Sequence, residues 1–299
     1  MYVITGATGH TGTIAARTLL ARGHSVRVLG RSAERLRALT SQGAEQFLCD
    51  LTDVARLTQA FQGAQAVYAL IPPDITSNDY RAFQDRVSDA IATAVAGANV
   101  KFVVSLSSFG ADKADKTGPV VGLHNLEQKL NQIDGLNALH LRPGYFMENT
   151  LPQVSLIRKL GTGLGPIRPE LKLPMIATRD IGSAVGEALL QLNFKGKQTR
   201  ELLGQRDLTM PEALTVIGKA IGKPDLGYAQ VTGEQFVAAL SQFGFSQSFA
   251  NLMMEMVEAL NTGHMRALEP RTPRNTTPTS YEAFIAEEFV PAFKQANAA

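Results

Sequence analysis

The chain has 299 residues, of which 44% are hydrophobic and 19% charged, and its formal net charge is +2. This composition is typical of a globular protein with a sizeable core, and the absence of a long basic run argues against nucleic-acid binding. The single cysteine, Cys49, excludes an internal disulfide and a cysteine-based zinc cluster, and the five histidines show no metal-ligand spacing, so we expect no metal site.

The chain opens on an apolar strand pattern with no charged leader, and no stretch is long and apolar enough to span a bilayer. We therefore expect a cytoplasmic protein that does not associate with membranes. Its length fits one large domain with an elaboration.

The first predicted strand runs into a turn with three glycines spaced three apart, Gly6, Gly9 and Gly12, in the stretch VITGATGHTG. The apolar pattern from Ile14 onward predicts a helix. A strand that turns into a helix presents unpaired backbone N–H groups at the positive end of the helix dipole, where phosphate binds. Glycine permits the tight turn and lets a pyrophosphate approach the backbone. An ordinary glycine-rich turn has the same pattern, so the following elements must decide between the two.

Strand and helix patterns alternate through the rest of the first half. Apolar strands are predicted in residues 25–31, 44–50, 66–73, 101–108 and 137–144. Helices with one apolar face are predicted in residues 33–43, 53–63, 80–95 and 122–135. Apolar parallel strands covered on both faces define an α/β fold with a doubly wound, Rossmann-like parallel sheet. Because the glycine turn follows the first strand, we predict that it holds the pyrophosphate of a dinucleotide. Cys49 lies in the predicted third strand and is interpreted as a small buried side chain rather than a reactive thiol.

The second half is less regular, and we predict a mainly helical substrate or cap region over the carboxyl edge of the sheet. Residues 161–174 are predicted to form a loop, and residues 200–204 a strand that could return to the sheet. Thr279 and Glu282 are predicted to cap the last helix. The predicted organisation is a dinucleotide-binding domain over residues 1–150, with a returning segment near 175–205, and a cap over residues 151–299.

The end of the second strand bears on the choice of cofactor. NAD sites usually place an acidic side chain there to bind the ribose hydroxyls, whereas this chain has Gly30, Arg31 and Ser32. A guanidinium matches phosphate geometry, so Arg31 is a candidate ligand of the 2′-phosphate of NADP(H), the alternative being an ordinary surface arginine. We therefore expect NADP(H) in preference to NAD(H).

Four motifs together resemble a known family: TGATGHTG at residues 5–12, CDLTD at 49–53, LSSFGA at 106–111 and LRPGYFMEN at 141–149. They are similar to the atypical short-chain dehydrogenases, and more closely to the NmrA-like group, which includes bacterial NADPH-dependent quinone reductases and NADP-sensing regulators. The segment TPTSYEAFIAEEFVPAF at residues 277–293 is similar to the C-terminal helix of that group. The resemblance therefore covers nearly the whole chain.

This resemblance implies a set of cofactor and substrate contacts. The predicted cofactor-binding residues are, from the pyrophosphate through the 2′-phosphate, adenine and ribose to the nicotinamide, Gly6, Thr8, Gly9, His10, Thr11, Gly12, Arg31, Asp50, Leu51, Leu70, Ile71, Pro72, Ser105, Ser107, Pro143 and Gly144. The predicted substrate contacts are Phe109, Phe146 and Asn149.

One motif of the short-chain dehydrogenases is missing. Members that reduce carbonyls use a tyrosine acid with a lysine four residues on, and none of the six tyrosines here has a lysine at that spacing. A ketone reductase must protonate a developing alkoxide, whereas the reduced oxygen of a quinone is a stabilised phenolate that water can protonate. The sequence therefore favours NADPH-dependent reduction of a quinone or similar conjugated carbonyl. The alternative is a non-catalytic NADP(H)-binding redox sensor that contacts a partner protein.

His124 and Tyr145 are the candidate catalytic side chains, as orienting groups rather than obligatory acids. His124 stands where the missing tyrosine would be and could hydrogen-bond a carbonyl oxygen, although a histidine at the start of a helix is as often a surface residue. Tyr145 follows the sixth strand and is a candidate wall of the nicotinamide pocket. Ser107 could bond the substrate or only form a turn, and Glu127 is predicted to face solvent or pair locally. The expected partner is a small-molecule acceptor, and the oligomeric state, including a homodimer, is open.

Overall fold

A computed structural model describes residues 1–295 of the chain. Its strands are β1 (Tyr2–Ile4), β2 (Val26–Gly30), β3 (Glu45–Leu48), β4 (Ala66–Ala69), β5 (Phe102–Leu106), β6 (Asn137–Pro143), β7 (Tyr145–Phe146), β8 (Gly163–Gly165), β9 (Leu173–Ile176), β10 (Lys197–Leu202), β11 (Arg206–Leu208) and β12 (Tyr228–Gln230). Its helices are α1 (His10–Ala21), α2 (Ala33–Thr40), α3 (Val54–Phe61), α4 (Tyr80–Gly97), α5 (Val120–Asn131), α6 (Gln153–Leu160), α7 (Thr178–Gln191), α8 (Met210–Ala220), α9 (Gly233–Gln242), α10 (Gln247–Asn261), α11 (Tyr281–Phe284) and α12 (Val290–Gln295). Among these helices, none is both long and apolar enough to cross a membrane.

The central sheet contains seven strands in the order β10-β6-β5-β4-β1-β2-β3. All of its neighbouring strands run parallel. The direction of winding reverses between β1 and β4, and doubly wound sheets bind ligands at such a switch point, beyond the carboxyl ends of the strands. The glycine turn follows β1 and therefore lies at this point. The predicted doubly wound α/β fold is confirmed.

Helices cover both faces of the sheet, which explains why its inner strands are apolar throughout. Tyr2 and Ile4 of β1 pack with α1, α2 and α7 on one face. Val3, between them, packs with α3, α4 and α5 on the other face, because successive side chains of a strand alternate. The edge strand β3 departs from this pattern, and its Leu48 is 41% exposed.

The second half of the chain returns to the sheet. β10 lies beside β6, with Lys197 opposite Ala138 and Leu202 opposite Pro143. α7 precedes it and packs closely on α1, because Gly182 and Gly186 carry no side chain at the contact: an added Cβ on either would lie 2.8 Å from an α1 side chain. The face of the sheet over β1 is thus closed by a helix from each half of the chain.

The second half contains more strand than predicted. The segment 161–174, predicted as a loop, includes β8 and the beginning of β9. β9 pairs with β7 and β11, and β8 pairs with β12. These strands have two to four residues each, too few for an alternating pattern to be recognised among the glycines and prolines. They carry a third core, into which α8, α10 and α11 pack.

The C-terminal helical segment begins at Tyr281, but its N-cap is not the predicted one. Ser280 caps it, since its hydroxyl accepts the N–H of Ala283 at 3.1 Å. Thr279 is instead held by the carboxylate of Asp180, to which its N–H and hydroxyl donate at 3.0 and 2.7 Å. Glu282 pairs with Arg206. Thr279 and Glu282, which the local pattern assigned to the cap, are thus bound by Asp180 and Arg206, which lie far away in the sequence.

Candidate active site

The glycine turn leaves a row of backbone donors without protein partners. Gly6 has a left-handed backbone (φ +57°), and the N–H of Gly9 donates to its carbonyl at 2.9 Å. Gly9 provides no side-chain cap for α1. The N–H groups of His10, Thr11 and Gly12 form no hydrogen bond within residues 1–295. Such orphan donors at the positive end of a helix form an anion site.

Buried hydrogen bonds attach the turn to β4. The hydroxyl of Thr5 donates to the carbonyl of Tyr68 at 3.0 Å and accepts the N–H of Leu70 at 3.1 Å. The hydroxyl of Thr11 bonds to the Tyr68 hydroxyl at 2.8 Å. Both hydroxyls are therefore occupied inside the protein, and the N–H of Thr5 also donates to the Tyr68 carbonyl, at 3.0 Å. Thr11 thus has only its backbone N–H to offer a ligand.

A cleft of about 170 Å³ opens beside the turn. It lies beyond the ends of β1, β2, β3 and β4. Of the predicted cofactor residues, it brings together Gly6, Thr8, Arg31, Asp50, Leu51 and Pro72. The positions predicted for pyrophosphate, 2′-phosphate and adenine therefore meet at one cleft.

A second arginine, Arg35, lines the cleft with Arg31 and is not among the residues predicted from the sequence. It lies in the first turn of α2, where the hydroxyl of Ser32 accepts its N–H at 3.4 Å. A cation at the N-terminus of a helix opposes the helix dipole, which is unfavourable unless an anion lies nearby. A positive charge in the first turn of a predicted helix is the sequence signal from which Arg35 could be identified.

Two further residues of the cleft follow β3. Asp50 accepts hydrogen bonds from the hydroxyl and N–H of Thr52 at 2.7 and 2.9 Å, and these bonds, with a contribution from Arg31, lower the pKa of Asp50. Cys49 lies just after β3 rather than within it, and it is half-buried. Burial raises the pKa of its thiol to about 11, so the side chain is a neutral thiol at pH 7.

The three residues predicted on the ribose side have different surroundings. Leu70 packs into the core on one face of the sheet and Ile71 into the core on the other. Leu70 also lies on the turn, because an added Cβ on Gly6 would be 2.7 Å from its Cδ2. Pro72 lines the cleft.

Ser105 belongs to a buried polar chain. Its hydroxyl bonds to His140 Nδ1 at 2.6 Å, and His140 Nε2 bonds to Asn131 Oδ1 at 3.0 Å. Burial lowers the pKa of His140 to about 4, so the ring is neutral at pH 7. The Ser105 hydroxyl is thus occupied by the protein, and its contact with a cofactor stays a prediction.

His140 should make the fold acid-sensitive. The unfolded chain binds a proton near the ordinary histidine pKa, whereas folded His140 does so only near pH 4, so stability present above about pH 6.5 is lost as the pH falls. Between pH 7 and pH 5 this group should cost about 2 kcal/mol. Urea unfolding of His140→Gln should show a correspondingly smaller pH dependence than the native protein. His24→Gln, at an exposed site, is the control; equal pH dependence in His140→Gln and the native protein would refute the assignment.

Ser107 belongs to a second buried network. Its hydroxyl donates to Glu127 Oε1 at 2.5 Å. Arg142 donates two hydrogen bonds to the same carboxylate, from Nε to Oε1 at 2.9 Å and from Nη2 to Oε2 at 2.5 Å. Although burial opposes it, the bonds and charge of Glu127 raise the pKa of Arg142.

The prediction that Glu127 faces solvent or pairs locally is wrong, because the residue is 1% exposed and is paired with Arg142, 15 residues away in the sequence. Its partner comes from β6, a strand that follows α5 in the chain. A carboxylate on a helix is ordinarily solvated, and only a partner of opposite charge makes its burial tolerable. The helical pattern around Glu127 carries no sign of that partner.

His124 is half-buried on α5, and its Nδ1 bonds to the carbonyl of Ala111 at 2.9 Å. A carbonyl can only accept, so Nδ1 carries the proton and Nε2 of the neutral ring has a lone pair. His124 can therefore accept a hydrogen bond through Nε2 when neutral and donate one only as the imidazolium. The structure does not place it in the cleft.

Tyr145 and Phe146 form β7 and are half-buried beside β9. Burial raises the pKa of Tyr145 to about 12. Its hydroxyl makes no hydrogen bond to any of residues 1–295, so it is a protonated donor without a protein acceptor. Its predicted role against a ligand remains a prediction.

Three other residues predicted to contact the nicotinamide or the substrate, Gly144, Phe109 and Asn149, have different surroundings. Gly144 is required by packing, since an added Cβ would lie 2.3 Å from the carbonyl oxygen of Pro174. Phe109 is buried in the third core, and Asn149 is exposed. None of these three lines the cleft.

The sheet order and the glycine turn define a Rossmann-like nucleotide-binding protein. The chain belongs to the NmrA-like family, whose family model matches residues 2–289. It is 27% identical over 280 residues to the NAD(P)H azoreductase of Xenophilus azovorans, covering 92% of this chain and 93% of that protein. It is 26% identical over 260 residues to quinone oxidoreductase 2 of Escherichia coli, covering 85% and 86%. The crystal structure of an NADPH-dependent quinone oxidoreductase from Escherichia coli in complex with NADPH has a TM-score of 0.81, at 22% identity, over 98% of this chain and 100% of that one.

Proposed function

We propose that the protein is an NADPH-dependent oxidoreductase that reduces a quinone or a similar conjugated carbonyl. The observation that carries the proposal is the cleft at the switch point, which Gly6 and Thr8 of the glycine turn line together with Arg31 and Arg35. The relatives named as an azoreductase and a quinone oxidoreductase support it.

The residues present fit a dinucleotide in two respects. Gly6 and Gly12 let the turn close tightly, because a Cβ on them would meet the Leu70 side chain and the Gly6 carbonyl, respectively, and the N–H groups of residues 10–12 are left without protein partners. The end of β2 has no carboxylate to repel a 2′-phosphate, and two arginines line the cleft there. We assign Arg31 and Arg35 to that phosphate and the backbone of residues 10–12 to the pyrophosphate.

Bound NADPH would supply the hydride, and the residues of this chain would orient the ring and the acceptor. No tyrosine of the sequence has a lysine four residues on, and α5 carries, after His124, the buried Glu127, which is paired with Arg142 of β6. A carboxylate gripped by a guanidinium is a poor proton donor. An acceptor whose reduced oxygen is already stabilised needs no proton donor from the protein, and a quinone is such an acceptor.

Replacing either arginine should reveal the preference for NADPH. A hydrogen bond to a charged group typically contributes about 1.5–3 kcal/mol, so Arg31→Ala or Arg35→Ala should weaken NADPH binding by roughly ten- to a hundredfold and leave NADH binding nearly unchanged. Fluorescence titration with both cofactors measures this. Arg37→Ala, an exposed arginine on the same helix that does not line the cleft, is the matched control. If Arg31→Ala or Arg35→Ala weakens the binding of NADPH and NADH by the same factor, the replaced arginine does not bind the 2′-phosphate.

The activity itself separates an enzyme from a sensor. NADPH absorbance is followed with protein alone, with a quinone alone and with both, and the uncatalysed rate is subtracted. We expect saturable oxidation only in the complete mixture. Tight NADPH binding without acceptor-dependent oxidation across a panel of quinones and azo dyes would instead establish a non-catalytic NADP(H) sensor.

A further inference from the structure

Ser107 sits at the junction of the two strands that end nearest the predicted nicotinamide position. Its N–H donates to the carbonyl of Leu141 at 2.8 Å, and the N–H of Phe109 donates to the carbonyl of Pro143 at 3.1 Å. These bonds continue the pairing of β5 with β6 beyond the end of β5. Ser107 is thereby fixed opposite Arg142 of β6, with 4% of its surface exposed.

The proton of the Ser107 hydroxyl has a defined position. Glu127 Oε1 lies 2.5 Å from the hydroxyl oxygen, and both carboxylate oxygens of Glu127 are bound by Arg142. The side chains of Arg142 and Glu127 are only 12% and 2% exposed. A carboxylate paired in this way is ionised and has no proton to give, so the serine must be the donor between them.

We infer that Glu127, held by Arg142, fixes Ser107 as a hydrogen-bond acceptor toward the cofactor, and that the group it accepts is the carboxamide N–H of the nicotinamide. The inference rests on the proposed function, since it needs a nicotinamide cofactor in the site. Glu127 is then a positioning residue that acts through Ser107. With its proton committed, Ser107 has only lone pairs to offer and cannot polarise the carbonyl of an acceptor.

A pair of ligands tests the direction of this bond. In the acetylpyridine analogue of NADPH, a methyl ketone replaces the carboxamide, which removes the N–H donor and keeps the carbonyl. Ser107→Ala should weaken NADPH binding by about threefold to tenfold, the value of one hydrogen bond, and leave binding of the analogue unchanged. Equal losses for the two ligands, or a larger loss for the analogue, would overturn the inference.

The role of Glu127 is tested with the same affinity ratio. Glu127→Asp keeps the charge for Arg142 but withdraws the carboxylate from Ser107, so discrimination between NADPH and the analogue should fall toward that of Ser107→Ala. Arg142→Lys keeps Glu127 ionised and should preserve the native ratio. A native ratio in Glu127→Asp would show that Glu127 does not orient the serine.

The failure of this inference is distinguishable from failure of the proposed function. If the native protein does not bind NADPH, the proposed function is wrong. If it binds NADPH and oxidises it with a quinone, but Ser107→Ala does not separate the two ligands, only the assignment of Ser107 is wrong. Ser107→Ala leaves the Glu127–Arg142 pair in place, so the first comparison survives even if a Glu127 variant fails to fold.

Discussion

Gly12→Ala is expected to weaken binding of NADPH and NADH alike, by about a hundredfold. A Cβ at this position would lie 2.4 Å from the Gly6 carbonyl oxygen and 3.0 Å from the Cα of Ala7. Both contacts are with backbone, which cannot move aside as the end of a flexible side chain can. The turn must therefore open, and the N–H groups of residues 10–12 lose their common direction. Fluorescence titration with both cofactors measures the loss.

Gly97→Ala provides the matched control, because Gly97 is also helical and an added Cβ would meet only the side chain of Thr58, at 3.4 Å from Cγ2 and 3.8 Å from Oγ1. We expect native cofactor affinity in that variant. Urea unfolding of both variants separates a folded protein with a damaged turn from an unfolded one. A folded Gly12→Ala protein with native affinity for both cofactors would show that the turn does not hold the pyrophosphate.

Arg142→Ala is expected to destabilise the protein by about 3–5 kcal/mol, because it leaves the carboxylate of Glu127 buried without a counter-charge. The free energy of unfolding in urea measures the effect. Asp89→Ala is the control: it breaks the Lys129–Asp89 pair, in which Asp89 is 65% exposed, and should cost less than about 1 kcal/mol. A loss in Arg142→Ala no larger than in Asp89→Ala would mean that Glu127 finds water or another partner.

Most of the sheet could be predicted because its signals are local. Strands such as β4 and β5 are short apolar runs between amphipathic helices, and parallel strands buried on both faces produce that pattern directly. The glycine turn could be placed for the same reason, since Gly6, Gly9 and Gly12 directly follow the first strand. β8 and β9 could not be predicted, because each depends on a partner strand far away in the chain.

In the candidate site too, local signals predict the positions of some residues and not the surroundings of others. Arg31 and Asp50 follow strands of the sheet, so their gathering at the carboxyl edge follows from topology alone, and the structure places both in the cleft. The burial of Glu127 could not be predicted, because it depends on Arg142, 15 residues away in sequence and on another element. Ser107 and Ser105 were assigned by position, while the direction of their hydroxyls depends on partners that no local pattern reveals.

The central proposal is tested most directly by a matched pair of acceptors offered to the NADPH-loaded protein. The pair is para-benzoquinone and its fully saturated diketone counterpart, which keeps both carbonyls but lacks the conjugation that stabilises the reduced oxygen. Acceptor-dependent loss of NADPH absorbance is measured for each, after subtraction of the rate without protein. We predict turnover with the quinone and none above background with the diketone. Turnover with the diketone and none with the quinone would contradict the proposed activity.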